Sequence, residues 1–121
     1  MRQILVVDDE PGIVQLLEML LKDGGYGVSG AASGSQALEI IRSEQIDLIL
    51  LDLMMPGMTG WEFLDELKKI KRKTRPPVAI VSAVIQDAAM LRAEQEYGTC
   101  AYITKPFKID ELLDVINGAI H

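Results

Sequence analysis

Five short runs of Ile, Val and Leu alternate with stretches in which apolar residues recur every three or four positions. That is the pattern of repeated βα units around a parallel sheet. The runs are Ile4 to Val7, Tyr26 to Ala31, Asp47 to Leu51, Val78 to Val81 and Ala101 to Thr104, the second diluted by Gly27 and Gly30. Ile13, Val14, Leu16, Leu17, Leu20 and Leu21 mark one stripe of a first helix, with Pro11 near its start and Gly24 and Gly25 beyond its end. Ser33 with Gln36 and Thr59 with Glu62 have capping-box spacing, which predicts the starts of a second and a third helix. Ala37, Leu38, Ile40 and Ile41 follow the first of these caps, and Phe63, Leu64, Leu67 and Ile70 the second. A fourth helix, over Asp87 to Tyr97, is only weakly amphipathic. A fifth repeats Leu112, Leu113, Val115, Ile116, Ala119 and Ile120 behind Asp110 and Glu111, acids that suit a helix N-terminus. Right-handed crossovers put helices on both faces of the sheet, so the expected fold is a doubly wound α/β domain with five parallel strands.

Composition narrows this picture. A chain of 121 residues, 49% hydrophobic and 25% charged, predicts one globular domain over residues 1–121. The net charge of −6 argues against nucleic-acid binding, which rests on many Lys and Arg contacts to phosphates. The cationic run Lys68, Lys69, Lys71, Arg72, Lys73 and Arg75 falls at the end of the third helix, where cations suit the helix dipole, and reads as a solvated face. No apolar run approaches the roughly 20 residues that span a bilayer, so no membrane partner is expected. The lone Cys100 cannot form an internal disulfide and reads as a small buried hydrophobe. With strand-like sequence at the N-terminus in place of a signal segment, the expected compartment is cytoplasmic.

Ligands of open α/β sheets bind outside the C-terminal ends of the strands, so the residues there carry the chemistry. The first strand runs into Asp8, Asp9 and Glu10, the third into Asp52, the fourth into Ser82, and the fifth into Thr104, Lys105 and Pro106. Carboxylates so close repel, which raises the pKa of at least one unless a cation intervenes. A hard divalent ion resolves the conflict, and Mg²⁺ fits three carboxylates better than Ca²⁺ does. With a metal and Lys105 beside it, Asp52 is a candidate nucleophile for a phosphoryl group, since carboxylates form aspartyl phosphates.

The segments VVDDEP, LILLDLMMPGMTG, VSA at Val81 to Ala83 and YITKPF at Tyr102 to Phe107 resemble the receiver domain of bacterial two-component response regulators over essentially the whole chain. The resemblance implies a flavodoxin-like sheet of strand order 2-1-3-4-5. It also implies Mg²⁺-dependent transfer of a phosphoryl group to Asp52 from a phosphohistidine on a sensor histidine kinase or histidine phosphotransfer protein docking near the first helix. By the same resemblance Asp9 is the direct metal ligand, Asp8 reaches the metal through water, and Met54 gives its backbone carbonyl. Ser82 is the switch hydroxyl, Lys105 pairs with the phosphoryl oxygen, Tyr102 turns inward on activation, and the Lys105–Pro106 bond is cis. The face made by the fourth helix, fifth strand and fifth helix would then change, to be read by a partner or by a second copy as a homodimer. Ser82 departs from the commoner Thr. Met54 and Val84, apolar two residues after Asp52 and Ser82, predict slow autodephosphorylation, because neither can orient an attacking water.

Two other classes stay open at this level. A haloacid-dehalogenase-like phosphohydrolase also uses an Asp nucleophile and Mg²⁺, with its general acid two residues on: Met54 after Asp52, but Glu10 after Asp8. A flavin module shares the fold, though no Ser/Thr/Gly-rich loop follows the first strand. The receiver is also compatible with either a stand-alone protein or a piece of a longer regulator. Trp61 is either a core anchor or a handle at the site mouth, the methionines Met54, Met55 and Met58 adaptable contacts or packing, and His121 carries no reading.

Overall fold

The computed structural model describes residues 1–70 and 75–120, and along them strands and helices alternate as the periodicity predicts. The order is β1 (Gln3–Val7), α1 (Pro11–Asp23), β2 (Gly27–Ala31), α2 (Gly34–Ser43), β3 (Leu48–Leu51), α3 (Gly60–Lys68), β4 (Val78–Ser82), α4 (Asp87–Tyr97), β5 (Ala101–Thr104) and α5 (Ile109–Ala119). All neighbouring strands pair in parallel, in the order β2-β1-β3-β4-β5. Lys71, Arg72, Lys73 and His121 lie outside the described residues.

Alternation along the strands sorts their side chains into two cores. Leu5, Val7, Ile49, Leu51 and Ile80 face Ala37 and Leu38 of α2, Phe63, Leu64 and Leu67 of α3, and Ala93 of α4. Ile4, Val6, Leu48, Leu50, Ala79 and Val81 face Leu17 and Leu21 of α1, and Leu112 and Ile116 of α5. Each fully buried Leu or Ile contributes roughly 1.5–3 kcal/mol, so the sandwiched sheet supplies most of the stability and makes a rigid base for whatever sits at its end. The glycines that dilute β2 have a packing reason at Gly30: a Cβ there would lie 2.7 Å from Val14 Cγ1 of α1. Its absence lets α1 close on the edge strand.

Some local expectations shift. On α1 the buried stripe is Leu17 and Leu21, while Leu16 is 38% exposed. The α3 capping box forms in full, with Thr59 Oγ1 accepting from Glu62 N at 3.2 Å and Thr59 N donating to Glu62 Oε1 at 3.1 Å. On α2 only half of it forms. Ser33 Oγ accepts from Gln36 N, but the Gln36 side chain accepts from Ala32 N rather than from the cap itself. Cys100 is exposed, because it sits in the turn before the edge strand β5 instead of in the core. Trp61 is half-buried against the core, its ring 5.9 Å from that of Tyr97 and 4.3 Å from the Arg92 guanidinium. Of the methionines, Met55 is buried, Met58 packs partly on the core and Met54 is exposed. The weak amphipathicity of α4 has its counterpart in a single buried residue, Ala93, supplemented by a hydrogen bond from Tyr97 Oη to Asp65 at 2.7 Å.

Candidate functional site

Backbone bonds fix the strand-end residues before any side chain is considered. Asp8 N donates to Ala31 O at 3.0 Å, Asp52 N to Val7 O at 3.0 Å, and Lys105 N to Ser82 O at 2.9 Å, so each continues the sheet one residue past its strand. Asp52 is held from the far side too. Gly60 N donates to Leu53 O, and a Cβ on Gly60 would lie 2.6 Å from Leu53 Cα and 2.7 Å from Asp52 O, so the start of α3 rests directly on the peptide that carries Asp52.

The four side chains then converge. Lys105 Nζ lies 2.6 Å from Asp8 Oδ2, 3.2 Å from Asp52 Oδ2 and 3.5 Å from Glu10 Oε1. Asp8 Oδ1 accepts from Glu10 N at 3.0 Å, and Asp52 Oδ1 accepts from Met54 N at 3.1 Å. Asp8 and Asp52 are both buried, at 3% and 4% exposure. Burial raises the Asp8 carboxyl above its ordinary value even against the pull of Lys105, with the charge of Asp52 adding the smallest push. The repulsion expected between the two acids is therefore present, but it ranks behind desolvation. For Lys105 burial works the other way, and the hydrogen bonds and charges of Asp8 and Asp52 together outweigh it, holding the ammonium above its ordinary value.

Oxygens of Asp8, Glu10 and Asp52 lie within 4.8 Å of one another. The set is all carboxylate, the hard-donor chemistry that suits Mg²⁺ or Ca²⁺ and no soft metal. The donors present thus fit a divalent cation. Asp9 is half-buried and stands outside that group of three. Glu10, which the sequence offers as a strand-end acid and as the general-acid position of the haloacid dehalogenase reading, stands inside it.

Ser82, fully buried at the end of β4, is tied to Tyr102 on the neighbouring strand through one residue. Val84 N donates to Ser82 Oγ at 3.3 Å, and Val84 O accepts from Tyr102 Oη at 2.7 Å. The tyrosine is half-buried, and desolvation first, then the charge of Asp52, raise its phenol. The role of the Val84 peptide is invisible in the sequence, because any residue has the same backbone. The Lys105–Pro106 bond is cis.

A parallel five-stranded sheet with two buried acids and a lysine meeting at its C-terminal edge makes this a doubly wound α/β domain with a charged strand-end site. The chain belongs to the response regulator receiver domain family, whose model matches residues 4–117. Among its relatives is the sporulation initiation phosphotransferase F of Bacillus subtilis (strain 168), 39% identical over 114 residues that cover 94% of this chain and 90% of that protein. Among solved structures it is similar to the chemotaxis protein CheY4 of Vibrio cholerae, with a TM-score of 0.91 at 28% identity, covering 99% of each chain. It is also similar to the response regulator TrrA of Thermotoga maritima, solved in complex with Mg²⁺ and BeF, with a TM-score of 0.86 at 33% identity, covering 99% of this chain and 100% of that one. This membership decides against the haloacid dehalogenase and flavin readings. No helix among the described residues is long and apolar enough to cross a membrane.

Proposed function

We propose that residues 1–121 act as one phosphoacceptor switch in a two-component phosphorelay, taking a phosphoryl group on Asp52 from a phosphohistidine of a sensor histidine kinase or histidine phosphotransfer protein. The observation that carries the reading is the buried Asp52 carboxylate, 3.2 Å from the ammonium of Lys105 and beside Asp8. In the transfer a lone pair of Asp52 attacks phosphorus, the P–N bond to the donor imidazole breaks, and the bonding pair leaves on the imidazole nitrogen. Asp9, Asp52 and the Met54 carbonyl are the proposed Mg²⁺ ligands, with Asp8 reaching it through water. When bound, Mg²⁺ supplies charge neutralisation at the transferring phosphoryl oxygens.

Lys105 adds its positive charge to the same oxygens. The Ser82 hydroxyl donates to one of them, and the Val84 peptide, bonded to Ser82 Oγ, moves with it. Because Val84 O also holds the Tyr102 hydroxyl, this displacement reaches β5 and alters the face made by α4, β5 and α5. A partner protein or a second copy of the chain reads that face. The chain is a cytoplasmic receiver that assists its own phosphorylation and resets slowly, since the side chains of Met54 and Val84 cannot orient a water. It does not turn over a substrate.

Acetyl phosphate with Mg²⁺ should add one phosphoryl equivalent to the wild type by intact mass and none to Asp52→Asn. The label should decay over many minutes. An unlabelled wild type defeats the switch reading, and decay within seconds defeats the slow reset.

A further inference from the structure

We propose that Glu10 is a positioned oxygen donor at the mouth of the divalent-cation site, the carboxylate that meets the arriving ion and sets its affinity. The proposal rests on the switch reading above and assigns a residue to its metal. The two buried acids already have partners on every oxygen. Asp8 accepts from Lys105 and from Glu10 N, and Asp52 from Lys105 and from Met54 N. Among the described residues, the Glu10 carboxylate has only a 3.5 Å approach to Lys105, longer than the 2.7–2.9 Å usual for a charge-assisted bond. Its side chain is 62% exposed. It is thus the member of the converging group with lone pairs open to solvent.

The bland role for a glutamate at this position is helix capping, and it is not exercised. Glu10 is the N-cap of α1, yet its side chain makes no cap hydrogen bond. Glutamate is also not among the residues favoured there. Its carboxylate lies instead within 4.8 Å of those of Asp8 and Asp52, a convergence Asp9 does not share. The bond from Glu10 N to Asp8 fixes the residue's backbone beside the site. Fully ionised, three carboxylates against one ammonium leave a charge of −2, which a divalent ion balances.

Calorimetric titration of Mg²⁺ into the metal-free protein tests this without relying on activity. Glu10→Gln should weaken binding by roughly tenfold, as loss of a metal-site partner does. Glu10→Asp, which restores the charge but withdraws the oxygens by one methylene, should remain weakened. Glu18→Gln, the same charge change on α1 outside the group, should alter affinity by less than about twofold in physiological salt. Wild-type affinity in Glu10→Gln, full recovery in Glu10→Asp, or an equal loss in Glu18→Gln overturns the proposal while leaving the switch intact. A wild type that binds no Mg²⁺ and takes no label from acetyl phosphate overturns the switch itself.

Discussion

Asp8 bears the conflict built into the site. Buried next to Asp52, its carboxyl ionises less readily than in water although Lys105 lies 2.6 Å away. A carboxyl whose folded pKa exceeds its unfolded one holds more protons folded than unfolded. Its stabilising contribution is present in full below the ordinary value of 3.8 and is lost as pH rises through the folded value. Asp8→Asn removes that loss. Without divalent cation at neutral pH the variant should be more stable than wild type by the order of 1 kcal/mol, about 4 °C in Tm. The advantage should shrink as pH falls toward 3.8, and thermal unfolding across that range in chelator checks both parts. A variant less stable than wild type at neutral pH would show that the Lys105 pair outweighs burial. That Asp8, Asp52, Ser82 and Lys105 lie along one edge of the sheet was legible from residue type at strand ends. Which acid after Asp8 converges with them was not, because adjacent residues leaving a strand diverge according to loop backbone that side-chain periodicity does not encode.

At the scale of elements, α3 bears most directly on the site, because its first residue rests on the peptide of Asp52. Two neighbouring substitutions there should separate capping from contact. Thr59→Ala removes one half of the capping box and should cost about 1 kcal/mol. Gly60→Ala drives a methyl into backbone at 2.6 and 2.7 Å, where nothing flexible can give way, and should cost roughly 2 kcal/mol or more. It should also slow labelling of Asp52, which Thr59→Ala should leave nearly unchanged. Urea denaturation gives the order of stability, and the reverse order would refute the contact argument. The cap of α3 was readable from Thr59 and Glu62 alone, being a local pattern of four residues. The close approach of Gly60 was not, since it depends on where β3 delivers Leu53. Local spacing also misjudged Gln36, whose side chain has two nearby backbone donors to choose from, and Leu16, which lies at the margin of a stripe whose centre only packing on the sheet defines.

For the whole molecule, a cation bound by folded but not unfolded chain must raise stability by mass action, about 2.7 kcal/mol at one hundred times its Kd. Millimolar Mg²⁺ should therefore raise the Tm of wild type, and raise it less in Asp8→Asn, which starts with less repulsion to relieve. No Mg²⁺ effect on wild-type Tm would count against a cation site at this edge. The sequence by itself determined the alternation of strands and helices, the doubly wound class and the chemical types at the strand ends, because hydrophobic period and residue identity are local properties. Strand order came from resemblance. Only the tertiary structure decided that the Glu10 carboxylate comes within 4.8 Å of those of Asp8 and Asp52, that the Val84 peptide ties Ser82 to Tyr102, and that Cys100 faces solvent. Each depends on what the fold brings beside a short segment, as Asp52 beside Glu10 and Tyr102 beside Val84. That placement is set by how the sheet twists and where loops leave it, and no stretch of sequence contains that geometry.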